Sequence, residues 1–209
     1  MSHGPATMAP PPGEHFADSK ETTAQAILET PTAASLSKHA DAETERALTR
    51  FLFDEAELVD NMEWDAWLEC MHPDIYYWAP VRENRVYRER KHEFYEKGTS
   101  VYFEENWEYL RQRVFRLQTQ KAWAEEPASR SRHLVSNVRV DARGDGNFDV
   151  RSNVLVYRSR GERYQDHITY ERRDIIVKDK TAPLGFLVLE REIRFDMATI
   201  LIKNLSLFY

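Results

Sequence analysis

The sequence has 209 residues, 29 basic against 35 acidic, for a net charge of −6. That length suits one well-buried core and is short for two ordinary domains. The lack of a concentrated basic stripe argues against a nucleic-acid partner. No apolar run approaches the roughly 20 residues that cross a bilayer, no basic-then-apolar leader is visible, and the single cysteine, Cys70, excludes an internal disulfide and any multi-cysteine metal site. Together these features predict a cytoplasmic protein with no membrane partner.

Residues 1–40 are rich in Pro, Ala, Thr and Ser, with a breaker run at Pro10-Pro11-Pro12-Gly13, and are expected to form a mobile tail. A single domain is expected over 41–209. From Asp41, an N-cap candidate, Leu48, Phe51, Leu52, Ala56 and Val59 recur at helical spacing and predict an amphipathic helix. A short second helix over Trp64 to Glu69 is stopped by His72-Pro73, because proline restricts the residue before it. Asp74 to Val81, DIYYWAPV, reads as an aromatic strand. Arg82 to Ser100 is too charged and aperiodic for a core element and reads as a long loop with room for a turn of helix. Glu104 to Thr119 reads as a helix with Trp107, Leu110, Val114 and Leu117 as its stripe, acidic at its start and basic later, as the helix dipole favours.

The remainder is extended. In Arg130 to Val140, Leu134, Ser136, Val138 and Val140 alternate with His133, Asn137 and Arg139, the period of a half-buried strand. Asp145-Gly146-Asn147, tolerant of positive φ, turns the chain into a second alternating run containing Phe148, Val150, Ser152, Val154 and Val156. Ser159-Arg160-Gly161 leads into Tyr164 to Lys178, and the turn at 180–185 leads into Phe186 to Phe195. Four long strands in a meander after two or three helices predict an α+β fold: a curved antiparallel sheet wrapped as a cone on N-terminal helices.

Chemistry is sparse. A Rieske cluster needs two cysteines, which excludes it. His133, His167 and Asp166 are the one conceivable mononuclear metal set, and satisfied sheet histidines outweigh it. Cys70 beside Trp67 and Met71 reads as a buried inert thiol. No nucleophile elbow or phosphate loop occurs. Asp74, Tyr76, His133 and Asp166 carry no spacing signature but could converge in a cone pocket, so a stand-alone dehydratase or isomerase using Tyr76, His133 and Asp166 is the alternative activity. Dense charge of both signs at 125–133 and 171–174, the outward apolar residues Leu155, Tyr157, Ile175 and Val177, and the ending Leu205-Ser206-Leu207-Phe208-Tyr209 favour an oligomer.

Seven segments, Glu57-Leu58-Val59-Asp60, Trp64-Asp65-Ala66-Trp67-Leu68, Asp74-Ile75-Tyr76-Tyr77, Trp123-Ala124-Glu125-Glu126-Pro127, the run from Ser129 to Val138, Glu171-Arg172-Arg173-Asp174 and the final Asn204 to Tyr209, resemble the small, or beta, subunit of aromatic-ring-hydroxylating dioxygenases, most closely its biphenyl, benzene and alkylbenzene branch. The resemblance implies a fold similar to nuclear transport factor 2 and scytalone dehydratase. It also implies a non-catalytic structural role in an α3β3 hexamer that converts an arene, dioxygen and NADH-derived electrons into a cis-dihydrodiol. The Rieske [2Fe-2S] cluster and mononuclear Fe(II) would reside in the partner alpha subunit, served by a ferredoxin and a reductase, with no cofactor in this chain. Arg130, Arg132, His133, Arg172 and Arg173 are the residues expected at inter-subunit polar contacts, with Trp123 and Phe208 as apolar anchors.

Overall fold

The computed structural model describes residues 39–119, 128–161, 164–200 and 207–209. Helix α1 (Ala42–Asp60) starts at Asp41, whose carboxylate accepts the main-chain N–H groups of Glu43 at 3.1 Å and Thr44 at 3.0 Å. Its buried stripe holds the expected Leu48, Phe51, Leu52, Ala56 and Val59, and also Glu55. Helix α2 (Trp64–Leu68) follows after a tight turn. Of the expected N-terminal tail only His39 and Ala40 lie within the described residues; Ala40 N–H donates to the Val140 main-chain oxygen at 2.9 Å, so the chain enters along the sheet.

Strand β1 (Met71–Pro80) begins at Met71, before the His72-Pro73 stop that the sequence suggests. Its pairing with the neighbouring strand is irregular between Met71 and Tyr76, so the N–H that Pro73 lacks falls in a gap of the ladder. A second correction concerns Glu104 and Glu105, which belong to strand β2 (Val101–Glu105) and not to a helix. Helix α3 (Trp107–Gln118) starts only after Asn106, whose side-chain oxygen accepts the Tyr109 N–H at 3.0 Å. Leu110 and Val114 are its buried residues, and Glu108 and Arg116 sit at the dipole-favoured ends.

The meander is present as β3 (Arg130–Ala142), β4 (Phe148–Arg160), β5 (Tyr164–Lys178) and β6 (Phe186–Phe195). The order is β2-β1-β6-β5-β4-β3, with β1 parallel to β6 and every other pair antiparallel. Positive φ at Gly146 (86°) and Gly185 (77°) makes the turns that close two of the hairpins. In β3 the expected face breaks: Asn137 has φ 52° and the register slips between Ser136 and Arg139. Leu134, half exposed, and Ser136 therefore point outward, whereas Val138 packs against the core and Val140 is buried within it. The α+β architecture is as expected, with α1 packed on β3 and α3 on β1.

Register fixes which side chains share a face. Asp174 lies opposite Arg191 and Arg191 opposite Tyr77, which places all three on the helix-covered side. Glu192 and Trp78 pair on the outer side and are nonetheless buried, on a face where the segment 82–100 contacts their neighbours Tyr76, Glu190 and Arg194. This segment contains a 3₁₀ helix, Tyr87–His92.

Candidate functional site

The interior of the fold is occupied by charge. Glu55, one turn beyond Phe51 on the buried stripe of α1, is 2 % exposed. Its Oε1 accepts Trp67 Nε1–H at 2.7 Å and Arg191 Nη1–H at 2.7 Å, and its Oε2 accepts Arg172 Nη1–H at 3.2 Å. Arg191 grips Asp174 bidentately at 3.0 and 3.1 Å. Arg172 Nε is 3.3 Å from Asp174 Oδ2 without hydrogen-bond alignment, so that contact is Coulombic only. Two acids and two bases balance, drawn from α1, β5 and β6.

Burial pushes the Glu55 carboxyl up, but the charges of Arg191 and Arg172 outweigh it and bring the carboxyl from 4.5 down to about 2. A lowered acid stabilises the fold above its unfolded value and loses that contribution as pH falls through the folded one. On the order of 3 kcal/mol should therefore disappear as pH drops from 4.5 toward 2. Urea titrations across that interval check this, and Glu55→Gln should flatten the acid slope. Cys70 sits nearby, and burial together with the Glu55 charge pushes its thiol up to about 12, an inert group at neutral pH.

The segment 207–209 fills the space beside this network. The Phe208 ring lies 4.2 Å from Trp67 and 5.5 Å from Trp64, centroid to centroid, with the Arg113 guanidinium 4.4 Å from its ring. Tyr209 N–H donates to Tyr77 Oη at 2.7 Å, and Tyr77 O–H donates back to the Tyr209 main-chain oxygen at 2.7 Å. Arg113 Nη2 donates to the Leu207 main-chain oxygen at 2.7 Å. His133 completes the latch: Nε2 faces the Phe208 main-chain oxygen at 3.2 Å and Nδ1 faces Asp60 at 2.6 Å. Burial raises the Asp60 carboxyl, and the His133 ring and main-chain N–H outweigh it and hold it below the usual range.

These positions redistribute the residues expected at subunit contacts. Arg172 is internal because alternation along β5 turns its even-numbered residues inward there, toward Glu55. Phe208 and the His133 side chain are likewise internal, held by α2, α3 and α1. Arg130 and Arg132 remain exposed on the edge strand, with Arg132 Nη1 3.7 Å from Asp60. Arg173 faces outward and is largely covered, donating to Glu171 at 3.1 Å. Trp123 lies outside the described residues.

The alternative acid-base set does not assemble. Tyr76 is on the outer face, donating to Glu104 at 2.5 Å, whereas His133 faces inward on β3 at the far side of the sheet. Asp166 lies opposite Arg158 on β5. His167 faces outward against Tyr157, opposite to His133, and among the described residues no group of three or more His, Cys, Asp and Glu side chains could hold a metal ion.

The sequence reading missed Glu55 and Arg191. The signal present was a carboxylate inside an apolar helical stripe and a guanidinium inside an alternating strand, local violations that mark specialised positions.

A family profile described as the ring hydroxylating beta subunit matches residues 54–202. The biphenyl 2,3-dioxygenase subunit beta of Rhodococcus jostii is 35 % identical over 184 residues, covering 87 % of this chain and 98 % of the relative. A structure of naphthalene 1,2-dioxygenase with indole bound superposes with a TM-score of 0.72 at 23 % identity, covering 85 % of this chain and 93 % of that one. A putative scytalone dehydratase from Novosphingobium aromaticivorans gives 0.51 at 17 % identity, over 74 % of this chain and 85 % of that one. The two structures show the fold alone, and the profile and the curated relative show more: this chain belongs to the family of ring-hydroxylating dioxygenase beta subunits.

Proposed function

We propose that the chain is the structural subunit of an oxygenase whose chemistry is carried by a larger alpha subunit. The observation that supports this most directly is the filled interior. Where a cone fold has room for a substrate, this one places the balanced Glu55, Arg172, Asp174 and Arg191 network and the side chains of Phe208 and Tyr209. Buried groups whose charges neutralise one another are poor acids and bases, and they make a stiff body against which another subunit can pack.

The full reading is an α3β3 hexamer, cytoplasmic, in which the alpha subunit holds the Rieske [2Fe-2S] cluster and the mononuclear iron. A ferredoxin and a reductase deliver two electrons from NADH, so that arene, dioxygen, NADH and a proton become cis-dihydrodiol and NAD⁺. Arg130, Arg132 and Arg173 on the outer surface are the beta-side polar contacts, with Trp123 as an apolar anchor.

Co-expression with the alpha subunit tests the proposal. The two chains should co-purify with iron absorbance and arene-dependent oxygen uptake, and the beta chain alone should show neither. Oxygen-dependent turnover by the isolated chain would overturn the reading.

A further inference from the structure

Residues 207–209 belong to no helix or strand, yet all three are buried with the core. Side chains of the surrounding elements hold their main chain. Arg113 of α3 meets the Leu207 oxygen, His133 of β3 the Phe208 oxygen, and Tyr77 of β1 both the N–H and the oxygen of Tyr209. Two aromatic boxes take the rings. Phe208 has Trp64, Trp67 and the Arg113 guanidinium against it. The Tyr209 ring lies nearly parallel to Phe103 at 6.2 Å and meets Tyr170 and Phe195 edge-on at 5.8 and 5.2 Å.

A piece of ordinary core could pack in this way, but the gripping groups here are each positioned from behind. Arg113 Nη1 donates to Glu105 at 2.5 Å, the His133 ring is set by Asp60 at 2.6 Å, and Trp67 Nε1–H is held by Glu55 at 2.7 Å. The Tyr77 ring packs against Trp67 and Phe103 at 6.4 and 5.6 Å. Arg191, whose Nη1 is 3.4 Å from the Tyr209 oxygen, is fixed by Glu55 and bidentately by Asp174. None of these supports comes from 207–209. Donors that are oriented before their occupant arrives lose little entropy when it binds, which is how a recognition site differs from a collapsed core.

We infer that this cleft is a peptide-recognition site for an extended Leu-Phe-Tyr segment, and that residues 207–209 occupy it as a tethered ligand. The walls set the ligand class: two consecutive aromatic side chains on a main chain whose carbonyls meet Arg113, His133 and Tyr77. A short tether supplies an effective concentration on the order of millimolar, so the intact segment keeps free peptide out. Recognition of this kind needs no alpha subunit, and it stands or falls apart from the proposed function.

Calorimetric titration of a synthetic peptide of residues 204–209 into the purified full chain, wild type and Phe208→Ala, tests this. The variant, its own segment disabled, should bind one peptide per chain roughly tenfold or more tighter than wild type does, and its Tm should rise toward the wild-type value. The same peptide carrying Phe208→Ala should bind the variant roughly thirtyfold more weakly. No binding by the folded variant, or equal binding by variant and wild type, overturns the site. If Phe208→Ala does not fold, the wild-type chain carrying a protease recognition sequence between Ile200 and Leu201 is folded and then cut. Labelled peptide should replace the cut segment, and its exclusion, whether that segment stays or is lost, overturns the site.

Discussion

Replacing Arg191 with methionine is expected to lower the unfolding free energy of the isolated chain by roughly 3–5 kcal/mol, read from urea denaturation. Arg191 is wholly buried and touches both Glu55 and Asp174, so its loss leaves two carboxylates facing the single charge of Arg172. The cost comes from the uncompensated anion and not from the net value of the ion pairs, since desolvation offsets most of the Coulombic gain when a complete network forms. In the Arg191→Met background, Glu55→Gln restores charge balance between Arg172 and Asp174, so it should cost far less than in wild type, or recover stability. Equal costs of Glu55→Gln in the two backgrounds would show that the four groups do not act as a unit.

Phe208→Ala is expected to cost roughly 3–5 kcal/mol, because the ring is sealed among Trp64, Trp67 and Arg113 and its removal leaves a cavity against rigid aromatic walls. The location of the loss distinguishes two roles for this residue. As an internal latch it stabilises the lone chain, so its replacement lowers Tm at every protein concentration. As an anchor between subunits it would leave the lone chain untouched and weaken only association. The structure requires the first pattern.

Much of the fold was legible because its signals are local. Asp41 caps α1, the stripe of Leu48, Phe51, Leu52 and Val59 matches the helical period, and the strands of the meander alternate between turns of the expected composition. The misreadings share a cause, which is that tertiary context overrode a short pattern. Val101-Tyr102-Phe103 is too brief to declare a strand without β1 beside it, so its acidic end was absorbed into the helix. One residue in positive φ, Asn137, reverses the facing of β3 on either side of it, and nothing in alternation alone marks where such a slip falls. Charge was the hardest signal to place. Glu171-Arg172-Arg173-Asp174 reads as surface in sequence, yet the strand sends Arg172 and Asp174 into the core and leaves Glu171 and Arg173 outside, and only the positions of Glu55 and Arg191 explain why two of the four can be buried.

The parallel pairing of β1 with β6 bears on how the polypeptide is made. Glu55 meets Arg191 across 136 positions, and Tyr77 meets Tyr209 across 132. While the ribosome is still extending the meander, β1 has only the short β2 beside it, and Glu55 waits for Arg172 of β5 and Arg191 of β6. Closure must wait for distant residues to emerge, which places a large entropic hurdle late in the process and makes slow, all-or-none maturation the expected behaviour. A nascent chain arrested before β6 should remain protease-sensitive throughout, its first half included.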